Sequence, residues 1–169
     1  MQRAAPVQSN SQKESFLKER MYVGGGLGAS FGNVISVDVS PHVGIMLTNS
    51  MRVGVGFSYQ YVNYKILLQK LSVIGGRAFV QHDLFKNIFS DGDGVFGHVE
   101  YEYLHATLIS GTDFADSNIF PSLLLGGGYS APMGPNSFMQ IIILYPLSLN
   151  PPNSLNPPVV GRVNFNFGF

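Results

Sequence analysis

From Met21 onward apolar and polar residues alternate with a period of two, the mark of strands with one face in apolar surroundings. In residues 34–47, Ile35, Val37, Val39, Val43, Ile45 and Leu47 share one face, and Ser36, Asp38, Ser40, His42 and Gly44 share the other. A strand from residue 51 sets Met51, Val53, Val55, Phe57, Tyr59 and Tyr61 against Arg52, Gly54, Gly56, Ser58 and Gln60. Residues 21–32 form an earlier strand, with Met21, Val23, Leu27, Ala29 and Phe31 opposite Gly24, Gly26, Gly28 and Ser30.

Four more strands follow. Residues 71–83 place Ile74, Ala78 and Val80 opposite Arg77 and Gln81, although Val73 and Phe79 fall on the Arg77 side. Residues 95–108 place Val95, Val99, Tyr101 and Tyr103 opposite His98, Glu100 and Glu102. Residues 120–130 place Leu123, Leu125 and Tyr129 opposite Ser122, Gly126 and Gly128. Residues 137–147 are apolar on both faces, and residues 158–169 set Val159, Val163, Phe165, Phe167 and Phe169 against Arg162, Asn164 and Asn166. Turns fall at 48–50, 85–93 and 131–136, a polar loop at 109–118, and a Pro/Asn loop at 148–157. Residues 1–20 carry no apolar period and read as a flexible periplasmic leader, so the barrel occupies 21–169. That leader has no apolar core of the kind an export signal needs, so export requires a signal outside this segment.

Strands of roughly 10–13 residues match a tilted membrane crossing better than the 5–6 usual in soluble sheets. Their even number is what bacterial barrels show. Only helices and closed barrels pair every backbone group inside a bilayer, and no apolar run approaches the roughly 20 residues of a spanning helix. The expected fold is all-β: an eight-stranded antiparallel up-and-down transmembrane β-barrel. Both termini and the turns after strands two, four and six would share the periplasmic end. The longer connections after strands five and seven would be extracellular.

Composition supports this reading. Charged residues make up 12% of the chain against 45% apolar, where soluble domains carry about 25% charged residues, so something other than charge must cover much of the surface, either a lipid bilayer or a larger protein partner. Zero net charge argues against nucleic acid as a partner. The absence of Cys removes disulfides, thiolate metal sites and a thiol nucleophile.

With the apolar face toward lipid, Asp38, His42, Arg52, Arg77, His98, Glu100, Glu102 and Arg162 point inward. Buried charges cost several kcal/mol unless paired. Three acids balance three arginines here, so the expected interior is a salt-bridged plug, with glycines leaving room for the arginines. Tyr59, Tyr61, Tyr101, Tyr103, Tyr145 and Phe169 suit interfacial girdles. The terminal Phe169 resembles the assembly signal read by the barrel-insertion machinery.

Catalytic and metal readings are weaker. His42, His82, His98 or His105 with Ser36, Ser40 or Ser58 shows no spacing that singles out a triad. Asp91-Gly-Asp-Gly is a fragment of a calcium loop but reads as a tight turn. The glycines at 24–28 are not followed by the helix a dinucleotide loop needs. No catalytic residue, metal or cofactor is expected.

Several stretches carry a family likeness: Tyr22-Val-Gly-Gly-Gly-Leu-Gly, Val39-Ser-Pro-His-Val-Gly, Leu47-Thr-Asn-Ser-Met-Arg-Val-Gly-Val-Gly, Ile74-Gly-Gly-Arg, His98-Val-Glu-Tyr-Glu-Tyr-Leu, Pro121-Ser-Leu-Leu-Leu-Gly-Gly-Gly-Tyr-Ser and Gly161-Arg-Val-Asn-Phe-Asn-Phe-Gly-Phe. Over 21–169 the chain resembles the small OmpA-type outer-membrane β-barrels of Bacteroidota. The resemblance implies an outer-membrane location, outer-membrane lipid and the barrel assembly machinery as partners, and other outer-membrane proteins where the barrel is an accessory subunit. It implies a structural protein or a narrow channel before a lipid-modifying enzyme, and it brings no catalytic motif.

Overall fold

The computed structural model of the chain describes residues 20–30, 34–64, 69–110, 113–147 and 159–169. Eight antiparallel strands form a closed up-and-down barrel: β1 (Met21–Ser30), β2 (Val34–Met46), β3 (Met51–Tyr64), β4 (Gln69–Lys86), β5 (Gly94–Ser110), β6 (Asp113–Gly134), β7 (Ser137–Pro146) and β8 (Val160–Gly168). Each strand pairs with its sequence neighbours, and β8 closes on β1 through pairs such as Leu27–Val163. No sheet edge is left around this closed part, as a bilayer requires.

The register fixes the tilt. A row of paired residues starts beside Arg20, whose carbonyl accepts from the Met46 amide, and runs Met46, Arg52, Gln81, His98, Gly126, Leu144, Val160. It returns to β1 next to Ala29, so one circuit climbs about ten residues. Eight strands about 4.8 Å apart with about 3.3 Å rise per residue then tilt by about 40°, within the usual range for barrels. At that size the bore is filled by side chains.

The outer wall is apolar as the alternation requires. Among the described residues, the only exposed charged side chains within strands are Lys70 and Lys86, at opposite ends of β4. Along β5 the outward positions from Val95 to Tyr103 are Val95, Gly97, Val99, Tyr101 and Tyr103, before His105 interrupts the run. At the tilt above, that run rises about 20 Å, most of the roughly 25 Å height of an outer-membrane apolar band. Tyr59, Tyr61, Tyr101, Tyr103 and Tyr145 are exposed on the half toward the β5–β6 hairpin, and Phe169 lies at the opposite rim with exposed Phe85 and Phe89.

The strands differ from the sequence expectation at their ends. Residues 109–118 were expected to be a polar loop. The structure instead continues β5 to Ser110 and starts β6 at Asp113, with Ser110 paired to Asp113 and a bulge near Leu108. The long extracellular loop after strand five is thereby replaced by a tall hairpin. The residues there are polar because this hairpin stands above the apolar band, where an outward face need not be apolar. β4 likewise runs longer at both ends, from Gln69 to Lys86. The leader, save Arg20, and the Pro/Asn loop lie outside the described residues.

The three turns at the other end are short. In the β4–β5 turn Asn87 (φ 55°) and Gly92 (φ 88°) take left-handed backbone, which a side chain disfavours and glycine does not. Asp93 holds this turn. Its carboxylate accepts from the amides of Ile88 (2.7 Å), Phe89 (3.0 Å) and Ser90 (3.0 Å) and from the Tyr129 hydroxyl (2.5 Å). Burial pushes that carboxyl up, but the Tyr129 and amide hydrogen bonds outweigh it and hold it below the ordinary carboxylate range. The Asp91-Gly-Asp-Gly segment therefore spends its second carboxylate on its own backbone.

Candidate functional site: the polar interior

All eight residues assigned to the interior from sequence are buried: Asp38, His42, Arg52, Arg77, His98, Glu100, Glu102 and Arg162. Seven of them meet in one network, and Arg52 lies apart from it toward the short-turn end.

Arg162 on β8 is the hub. Its Nη1 pairs with Glu100, its Nη2 donates to Glu102 Oε1 at 2.6 Å, and its Nε lies 3.4 Å from Asp38 Oδ2. A planar guanidinium can serve several carboxylates in this way because its donors point in fixed, separate directions. Arg77 on β4 supplies the second cation, with Nη1 3.5 Å from Glu100 Oε2.

A directed chain of hydrogen bonds links these ions across the bore. Arg77 Nη2 donates to His42 Nδ1 (3.1 Å), and His42 Nε2 donates to Asn166 Oδ1 (2.7 Å). Asn166 Nδ2 donates to Gln140 Oε1 (3.3 Å), and Gln140 Nε2 donates to Gln81 Oε1 (3.0 Å). Gln81 Nε2 donates to His98 Nδ1 (3.0 Å), and His98 Nε2 donates to Glu100 Oε2 (3.1 Å). The circuit begins on a cation and ends on the carboxylate paired with that cation. The Gln81–Gln140 link is reciprocal, since Gln81 Nε2 also donates to Gln140 Oε1 at 3.4 Å, and chained bonds of this kind polarise one another. The partners assign both imidazoles the Nε2–H tautomer.

The circuit draws on β2, β4, β5, β7 and β8. The other three strands contribute glycine on their inner face: Gly24, Gly26 and Gly28 on β1, Gly54 and Gly56 on β3, and Gly126 and Gly128 on β6. A Cβ on these would collide with what lies over them: Asp38 over Gly28, the Phe79 ring over Gly54, Arg77 Nε and His42 over Gly56, and the Phe96 ring over Gly128. Gly44 on β2 lies in the same way under the Tyr22 ring. The sequence reading gave these glycines to the arginines. Only Gly56 serves that purpose; Gly44, Gly54 and Gly128 seat aromatic rings, Gly28 seats Asp38, Gly24 the Asn166–His42 pair, Gly26 Asn164 and Ser40, and Gly126 packs on the β7 backbone at Ile143.

Sequence reasoning missed Gln140, because strand seven reads as apolar on both faces. It also missed the small apolar cluster of Phe96, Leu124, Ile142 and Leu144 inside the wall. Toward the short turns Arg52 pairs with Asp83, stacks between Phe96 (5.4 Å) and Phe138 (5.5 Å), and borders a 160 Å³ cavity with Lys86 and Ser130. None of the serines raised as nucleophiles joins a His. Ser40 Oγ donates to the Gly26 carbonyl, Ser58 Oγ has no hydrogen-bond partner among the described residues, and the Ser36 side chain lies outside them. Of the four histidines, His42 and His98 are in the bore, and His82 and His105 are exposed on the outer wall.

A closed eight-stranded antiparallel barrel with an apolar wall and an ion-paired bore is the architecture of small transmembrane β-barrels. Solved structures agree. The crystal structure of Neisserial surface protein A matches with a TM-score of 0.69 at 16% identity, over 88% of this chain and 97% of that one. The N-terminal β-barrel domain of Pseudomonas aeruginosa OprF matches with a TM-score of 0.56 at 11% identity, over 89% of this chain and 98% of that domain. At these identities the likeness shows the fold alone. No protein-family model and no curated protein matches the chain.

Proposed function

We propose that this chain is a non-enzymatic integral outer-membrane protein whose bore is closed and which works through its loop-side surface, as a structural element or as an accessory subunit of a larger outer-membrane complex. One observation carries the reading: the circuit from Arg77 to Glu100, locked by Arg162 onto three carboxylates, crosses the bore. An ion would have to break charge-assisted bonds to pass. The outer-membrane location is supported by the apolar band, the tyrosines on its loop side and the likeness to the two bacterial barrels. The non-enzymatic reading is supported by the two bore histidines, which bond to Arg77, Asn166, Gln81 and Glu100 and to no serine hydroxyl. Insertion by the barrel assembly machinery, with Phe169 as its signal, belongs to the same proposal.

The test is conductance of the purified chain in planar bilayers. The expected trace is silent at moderate voltage. Steady unitary openings would overturn the closed-bore reading in favour of a narrow channel, and an altered lipid A profile on deletion would overturn the non-enzymatic one.

A further inference from the structure

The ions that meet in the bore do not balance. Arg162 and Arg77 are the two guanidinium groups of the network, against the carboxyls of Asp38, Glu100 and Glu102. Arg52 does not make up the difference, because it is paired with Asp83 toward the short turns. Among the described residues, three ionised acids would leave the network with one uncompensated negative charge. Such a charge is strongly disfavoured in a dry bore at membrane height.

The histidines do not supply the missing positive charge. Arg77 can only donate, so its bond to His42 Nδ1 fixes the direction of the links that follow. Asn166 turns its Oδ1 to His42 and its amide to Gln140, and Gln81 turns its amide to His98 Nδ1. A second proton on either imidazole would face a donor. A metal ion does not fit either, since no three acidic or imidazole side chains among the described residues converge so as to hold one.

Two carboxyls are placed to take a proton instead. Glu100 and Glu102 flank Tyr101 on β5 and reach the two terminal nitrogens of Arg162. Their carboxyl groups are also in hydrogen-bonding contact with each other. They are 1% and 4% exposed, and the inward residues beyond them, Val73 and Leu104, are apolar and buried. Two carboxylates in contact in a dry site do not both ionise. Asp38 is a worse carrier: its Oδ1 has no hydrogen-bond partner among the described residues, so a proton there would have no acceptor.

We propose that Glu100 and Glu102 bind one proton between them at neutral pH, so that the pair carries a single negative charge and the network is neutral. The charged and titratable groups facing the pair are Arg162 on β8, Arg77 on β4, Asp38 and His42 on β2 and His98 on β5; Tyr22 on β1 and Arg52 on β3 lie toward the short turns. The proton belongs to the pair rather than to either residue. Losing it returns the uncompensated charge to the bore.

The experiment is infrared spectroscopy of the full chain at neutral pH in micelles of an ester-free detergent. The probe is the proton itself, read from the carbonyl stretch of an un-ionised carboxylic acid and its shift in heavy water. The expected spectrum has a band equal to one carboxylic acid per chain. Glu102→Gln and Glu100→Gln should each abolish it while the barrel stays folded by circular dichroism, and the wild-type band tests the proposal even where a variant fails to fold. The proposal is overturned if the wild-type chain shows no such band, or if the band survives in both variants. It is overturned equally if the band appears only when sodium is replaced by a bulky organic cation, which would put an alkali ion in the proton's place. None of these outcomes depends on whether the bore conducts, so this reading and the closed-bore reading fail separately.

Discussion

Replacing Arg162 with Met is the sharpest perturbation of the interior. The substitution keeps most of the side-chain volume and removes the cation that Glu100, Glu102 and Asp38 share. All three acids are at least nine-tenths buried. Afterwards Arg77 is the nearest remaining cation, 3.5 Å from Glu100 and paired with neither Glu102 nor Asp38. Removing one partner of a buried pair typically costs about 3–5 kcal/mol, because the other is left charged and dry. With Glu102 and Asp38 orphaned and Glu100 left to Arg77 and His98, the upper part of that range is expected, against a total stability of roughly 5–15 kcal/mol. The assay is urea unfolding in detergent micelles followed by circular dichroism, since the chain has no Trp to report by fluorescence. Adding Glu102→Gln to the variant should recover part of the loss, with a coupling of about 1 kcal/mol or more, as expected for groups in contact. If the Arg162→Met variant loses less than about 1 kcal/mol, the network contributes little to stability and the hub role assigned to Arg162 is wrong.

Gly44→Ala should destabilise the barrel by about 1–3 kcal/mol and be partly rescued by Tyr22→Leu, because the atoms nearest the new methyl all belong to the Tyr22 ring and its hydroxyl. Gly126→Ala should not be rescued by any side-chain change, since its obstacle is the Ile143 carbonyl; equal rescue in urea titrations would refute the distinction. Val99→Arg, mid-height on the wall, should cost about 2–4 kcal/mol in bilayers, whereas Thr107→Arg above the band should cost about 0–1 kcal/mol. Equal costs would remove the inferred membrane boundary. The depressed Asp93 carboxyl stabilises the β4–β5 turn fully above its unfolded value, near 3.9, and loses that contribution as pH falls through its lower folded value. Exchange at the Phe89 and Ser90 amides should therefore rise in acid, and Asp93→Asn should abolish that rise. Deleting Phe169 should slow insertion by the assembly machinery in reconstituted liposomes without lowering the stability of barrels already folded.

The closed fold was legible because lipid imposes one rule on every outward position. The faces of β2 and β3 assigned from alternation are the faces the structure shows, with Val37, Val39 and Val43 outside and Asp38, Ser40 and His42 inside. β4 was ambiguous for a physical reason. Val73 and Phe79 share the inward face with Arg77, one because it lies above the band where polarity inverts, the other because its ring covers Gly54 and stacks on His98 at 5.5 Å. The tall β5–β6 hairpin was read as a loop because a strand in water keeps its backbone ladder without keeping the period that reveals it.

The interior was legible in its members and not in its wiring. Parity alone brings Asp38, His42, Arg77, His98, Glu100, Glu102 and Arg162 into one bore, but it does not say which strands supply bulk and which supply space. That division follows from the register. Arg52, Gln81 and His98 are paired neighbours in one row, and the same row continues into Gly126, where the β7 backbone at Ile143 leaves no room for a side chain. The glycine pattern of β1, β3 and β6 therefore goes with a filled bore, since side chains from neighbouring strands lie over most of these glycines.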